Sequence, residues 1–140
     1  MLNFSHLKNK LIWISIFGAI LLIVGNYLPI IEINSGTLDY AKTFSFIPYE
    51  GKYIVLVAAL ALILFILNES KYAICSAIVS TIFILYLVLN KSNLYDDCVF
   101  YESMFSWGYG LYVLCVGNIL LYVFPIIEIV KEKFTIRTKK

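Results

Sequence analysis

The stretch YIVLVAALALILFIL-NESK-YAICSAIVSTIFILYLVL, residues 53–89, decides the fold. It is a run of 15 apolar residues, a polar break of four, and a run of 18, with no charge inside either run. A helix that crosses a bilayer needs about 20 residues, within a range of roughly 17–25. The second run reaches that length. The first reaches it with Gly51 and Lys52, whose ammonium can snorkel to the headgroups. A connection as short as Asn68–Lys71 leaves only one arrangement, a tight antiparallel pair of helices.

Two further apolar runs flank this pair, Leu11–Ile31 and Trp107–Val130, and both are long enough to span. Over all 140 residues, 61% are hydrophobic and 14% charged, and the mean hydropathy is +0.88. A soluble domain is nearer half apolar and a quarter charged, and a chain of this size has too little interior to hide the excess. The expectation is an all-α membrane protein: one domain over residues 1–140, a four-transmembrane-helix bundle with helices near 11–31, 51–67, 72–89 and 107–130. Outer loops take residues 32–50 and 90–106, and a tail takes 131–140. Lys8 and Lys10 ahead of an apolar run could mark a signal peptide, but the run is long and no A-x-A-like site follows, so it reads as a retained helix.

Charge sets the orientation. Lys8, Lys10, Lys71, Lys131, Lys133, Arg137, Lys139 and Lys140 fall on one side, against Lys42, Lys52 and Lys91 on the other. The positive-inside rule puts both termini in the cytoplasm of a plasma membrane. Six acidic residues, Glu32, Asp39, Glu50, Asp96, Asp97 and Glu102, lie in the outer loops. The basic tail reads as a topology signal with some attraction for anionic lipid, and no nucleic-acid partner is expected.

The first outer loop alternates at Ile31-Glu32-Ile33 and Phe44-Ser45-Phe46 around a turn signal at Ser35-Gly36, the pattern of a small β-hairpin. Phe44, Phe46 and Pro48 are apolar where a loop in water has little reason to be, so they are contact candidates. Tyr49, Tyr53, Tyr101, Phe105 and Trp107 at the outer ends, with Trp13 and Tyr72 at the inner, suit interfacial anchoring. Ala73 and Ala77, Ser76 and Ser80, Gly18 and Gly25, and Gly110 and Gly117 stand four or seven apart. Small residues at such spacings let helix backbones approach closely in lipid, within one chain or between copies. Val24-Gly25-Asn26 is echoed by Val116-Gly117-Asn118, but the spacing to the following Pro differs and the helices run oppositely, so no repeat is read.

Chemistry is sparse. Asn26 and Asn118 are the most polar residues at membrane depth. With Ser76 and Ser80 they are candidates for helix packing or a polar path. Their depths differ, so each is expected to bond a backbone carbonyl or a hydroxyl rather than the other Asn. Thr81 joins them in a path reading. Cys75, Cys98 and Cys115 form no C-x-x-C. His6 is the sole histidine, and Asp96, Asp97 and Glu102 are read as solvated rather than as a cation site. No G-x-S-x-G, Walker A or H-E-x-x-H pattern occurs. No catalytic residue, metal or cofactor is expected.

Gly25-Asn26-Tyr27-Leu28-Pro29 at the end of the first helix and Gly108-Tyr109-Gly110-Leu111-Tyr112 at the start of the fourth resemble small four-helix bacterial membrane proteins of unknown function. In those, a G-x-x-L-P exit leads to a strand-like outer loop and a G-x-G-L-Y entry starts the last helix. That resemblance implies a layout and no activity. The outline is also similar to claudin-like proteins, without their outer W-x-x-W or paired cysteines. Abundant Ile, Asn, Tyr and Lys suit a low-GC bacterial genome. The leading functional expectation is a non-enzymatic protein that binds another membrane component, as an accessory subunit or as an immunity or resistance protein. The alternative is an oligomeric channel, holin-like pore or small-solute carrier built as a homo-oligomer. A membrane enzyme would need a reactive group supplied by a substrate or cofactor, which the sequence does not reveal.

Overall fold

The computed structural model describes residues 9–34, 41–44, 51–89 and 105–138. Its chain order is α1 (Lys10–Gly25), β1 (Ile31–Asn34), β2 (Ala41–Phe44), α2 (Lys52–Ile66), a 3-10 turn (Ser70–Tyr72), α3 (Ala73–Leu89), β3 (Phe105–Trp107) and α4 (Tyr109–Thr138). The described chain is mostly helical. Ser70–Leu89, with 20 residues, and Tyr109–Ile136, with 28, are long and apolar enough to cross a membrane by length and composition. Lys10–Gly25 and Lys52–Ile66 are apolar but shorter.

Each boundary has a local cause. The Asn9 side chain caps α1 by accepting from the Leu11 N–H at 3.1 Å, satisfying one of the orphan donors of the first turn. The apolar run continues to Ile31, but the helix stops at Gly25. Pro29 disfavours helical backbone at Leu28, and Tyr27 and Leu28 close the end with turn bonds to Val24 and Gly25. At the other end of the hairpin, Asn68 takes φ 62°. The Glu69 N–H reaches the Leu64 carbonyl at 2.9 Å and the Asn68 N–H reaches that of Phe65 at 3.4 Å. This is a Schellman closure with Asn at the left-handed position, and it turns the chain straight into α3. α4 runs to Thr138 rather than ending at Val130, so most of the expected tail is helix, and Lys131–Ile136 are exposed.

The helices form a ring in which α1 touches α2 and α4, and α3 touches α2 and α4, with the broadest contact between α1 and α4. Inward positions recur at intervals of three and four: Ile54, Ala58, Ala61 and Phe65 on α2, and Ala73, Ala77, Ser80, Ile84 and Leu87 on α3. That is the spacing of left-handed helix packing. Hydrophobicity does not separate the two faces of these helices, but size does: Ala, Gly and Ser concentrate inward.

At one end of the ring the three strands pair antiparallel in the order β2-β1-β3. In the backbone register Ile31 pairs with Phe44 of β2 and with Trp107 of β3. The sequence pattern places Phe105–Trp107 in a loop and a helix start, whereas in the structure these residues pair as β3. The connection at residues 35–40, including the turn expected at Ser35-Gly36, lies outside the described residues.

Candidate functional site

Polar side chains meet between α3 and α4, about midway along both. Ser80 Oγ donates to Asn118 Oδ1 at 2.5 Å, and Asn118 Nδ2 donates to Thr81 Oγ1 at 2.6 Å. Thr81 Oγ1 lies 2.9 Å from the Tyr122 hydroxyl and donates to the Ala77 carbonyl at 2.8 Å. Ser80 Oγ also lies 2.9 Å from the Ala77 carbonyl. Helix geometry assembles this set. Ser80 and Thr81 are adjacent on α3, and Asn118 and Tyr122 are four apart and therefore share a face of α4. Ser80 and Asn118 were foreseen as candidates and do come together. Tyr122 was missed; its four-residue spacing from Asn118 was the available signal. Ser76 is buried one turn from Ser80.

Asn26 stands apart, fully buried at the end of α1. Its Nδ2 donates to the Leu22 carbonyl at 2.5 Å, so it does not pair with Asn118. Its Oδ1 is buried without a partner among the described residues. Phe44 is the last residue of β2; Phe46 and Pro48 lie outside the described residues, as does Cys98.

A second polar junction ties α1 to α4. The fully buried Ser15 Oγ donates to the Leu120 carbonyl at 2.9 Å and accepts the Phe124 N–H at 3.0 Å. Those two backbone groups form one rung of α4, immediately before Pro125. Pro125 has no N–H to offer the Leu121 carbonyl four residues back, and Ser15 ties α1 to α4 at the adjoining rung.

The two glycine-based motifs also meet. The Gly108 N–H donates to the Ile30 carbonyl at 2.7 Å and the Gly110 N–H to that of Pro29 at 2.8 Å. A Cβ on Gly108 would lie 2.3 Å from the Pro29 oxygen. The start of α4 therefore seats on the exit of α1 backbone to backbone. One helical face further on, a Cβ on Gly18 would stand 2.7 Å from the Gly117 oxygen, and a Cβ on Gly117 2.8 Å from the Gly18 oxygen. The glycines are used within the chain, between antiparallel α1 and α4.

At the opposite end of the bundle from the strands, the buried Ser70 hydroxyl donates to the Glu128 carboxylate. Lys71 Nζ lies 3.9 Å from a Glu132 oxygen. Cys75 and Cys115 are free and exposed on the helix surfaces. Among the described residues, no three His, Cys, Asp or Glu side chains converge as a metal-ligating group. These contacts are cross-ties: hydroxyls, amides and backbone groups satisfy one another between helices. Comparison with protein families, with characterised proteins and with solved structures finds no match to this chain.

Proposed function

We propose that this chain is a four-span protein of a bacterial plasma membrane, with both termini in the cytoplasm, that acts without catalysis by binding another membrane component. It serves as an accessory subunit or as an immunity or resistance protein. On this reading β1 and β2 form a small hairpin on the outer face. The observation that carries the membrane reading is the inside-out distribution of side chains. Phe17 is 54% exposed, Leu56 66%, Ile82 59% and Ile119 66%, one on each helix, while Ser15, Ser80 and Asn118 turn inward. Apolar surface of that extent is far more than a soluble monomer presents.

The short helices fit the same reading. At about 1.5 Å per residue, the 15 residues of α2 fall short of a hydrocarbon core of about 30 Å. Lys52 at its outer end lies 5.2 Å from the Tyr53 ring, and Lys71 at the inner end of α3 lies 5.3 Å from the Tyr72 ring. Cation–aromatic pairs at both ends suit snorkelling lysines and local thinning of the bilayer.

A binding role is favoured over a pore because the polar groups of α3 and α4 are spent on each other and the glycine faces of α1 and α4 are closed. What is left facing outward is apolar. The test is alkaline extraction of native membranes followed by a gentle-detergent pull-down of the tagged protein. Retention in the pellet with a stoichiometric heterologous partner is the expected result. Release into the supernatant would overturn the membrane reading. A clean homo-oligomer alone would overturn the binding role in favour of a pore.

A further inference from the structure

The inner end of the bundle contains an open cavity of about 410 Å³, lined by Asn68, Glu69, Lys71, Glu128, Lys131 and Glu132. Two features hold its walls in place. Asn68 sits in the left-handed closure of α2, which sets the path of the chain through Glu69. Ser70, 1% exposed, holds the Glu128 carboxylate from below. Glu128, Lys131 and Glu132 stand at i, i+3 and i+4 on α4 and so share the face turned to that closure.

The lining has both signs, three carboxylates against two ammonium groups, together with the Asn68 amide. The carboxylates do not converge with a third ligand on one point, so the charges are spread around the wall rather than focused on an ion. Lys71 and Glu132 make only a long contact of 3.9 Å, with side chains 42% and 57% exposed. Such a pair contributes little and is readily re-partnered. A purely anionic ligand would face more carboxylates than lysines. A quaternary ammonium would offer the carboxylates no N–H to accept. The complement is a primary ammonium and a phosphodiester a few bonds apart.

Depth supplies the source. The apolar run of α2 ends at Leu67 and that leading into α3 begins at Tyr72, so on the membrane reading above, on which this step rests, the cavity lies among the inner-leaflet headgroups. We infer that it is a binding site for the headgroup of phosphatidylethanolamine. Glu69 and Glu128 take the ammonium, and Lys71 and Lys131 take the phosphate, as charge-assisted hydrogen bonds.

The test uses the full-length protein in detergent, titrated with phosphatidylethanolamine, phosphatidylcholine and phosphatidylglycerol of the same chains and read by native mass spectrometry. Phosphatidylethanolamine should bind about tenfold more tightly than the other two, as expected for one or two charge-assisted bonds. The double variant Glu69→Gln, Lys131→Gln alters two exposed side chains and should abolish that preference with an unchanged melting temperature. Lys133→Gln, outside the cavity, should keep it. Equal binding of the three lipids, or a preference that survives the double variant, overturns the site. Soluble glycerophosphoethanolamine separates headgroup from membrane. If it binds with the same variant sensitivity as tightly as the lipid, the recognised chemistry stands and its source is a soluble ester. If the chain is released by alkaline extraction, the membrane reading falls, while this soluble titration still decides the cavity.

Discussion

Asn118 shows what one amide does in an apolar interior. It accepts from Ser80 and donates to Thr81, and Tyr122 extends the chain of bonds outward. Interhelical hydrogen bonds in membranes contribute about 0.6 kcal/mol on average, up to about 2. Asn118→Ala should therefore lower stability by about 1 kcal/mol, read as thermal unfolding in detergent. Ser80→Ala added to it should cost less than it does alone, because the partner is already gone. Glycine positions should be harsher. A Cβ on Gly18 meets backbone atoms of Gly117 and Leu121 at 2.7 Å, and backbone cannot rotate away. Gly18→Ala should cost about 1–3 kcal/mol by overpacking. Gly25→Ala meets chiefly the Leu114 side chain at 3.0 Å and should cost less. That Asn118 and Gly18 matter could be read from the sequence, since polar and small residues are rare in these runs. Which atoms they meet could not, because every helix offers several candidates.

At the scale of the element, α1 is tied to α4 on the turn before its proline. Ser15 Oγ bonds both Leu120 and Phe124, so Ser15→Ala should leave buried backbone groups poorly paired, at a cost of about 1–3 kcal/mol. In a Pro125→Ala background residue 125 regains an N–H for the Leu121 carbonyl and the turn can straighten, so the same substitution should cost at least ~0.5 kcal/mol less. A double-mutant cycle on melting temperatures checks this; equal costs in the two backgrounds would remove the link between Ser15 and the proline. The number and order of the helices were legible from runs of apolar residues. Their ends were less so. Pro29 signalled the end of α1, yet apolar residues continue past it as strand, and composition alone does not distinguish the two. The three-residue strand Phe105–Trp107 is too short to show a period, and its existence depends on β1 lying beside it.

For the whole molecule, orientation is the property most directly testable. On the membrane reading, Cys98 faces outward, whereas Cys75 and Cys115 lie on helix surfaces shielded by lipid. A membrane-impermeant maleimide should label intact cells through Cys98, and Cys98→Ser should abolish the signal. Labelling that requires permeabilised cells would reverse the orientation. The cavity beside the α2–α3 connection belongs to this scale as well, since its lining comes from that connection and from α4, far apart in the chain.

The sequence by itself determined the helical character, the number of helices and the tight α2–α3 turn, because apolar runs and polar breaks are local properties. It also marked the small residues on which close packing depends. Only the tertiary structure decided how those residues are used. Gly108 seats on Pro29, Gly18 opposes Gly117 and Ser15 enters the rung before Pro125. In helices apolar on every side, hydrophobicity cannot say which face turns inward. That choice is made by size and by the few polar groups that must find partners, and both are settled only when the helices pack.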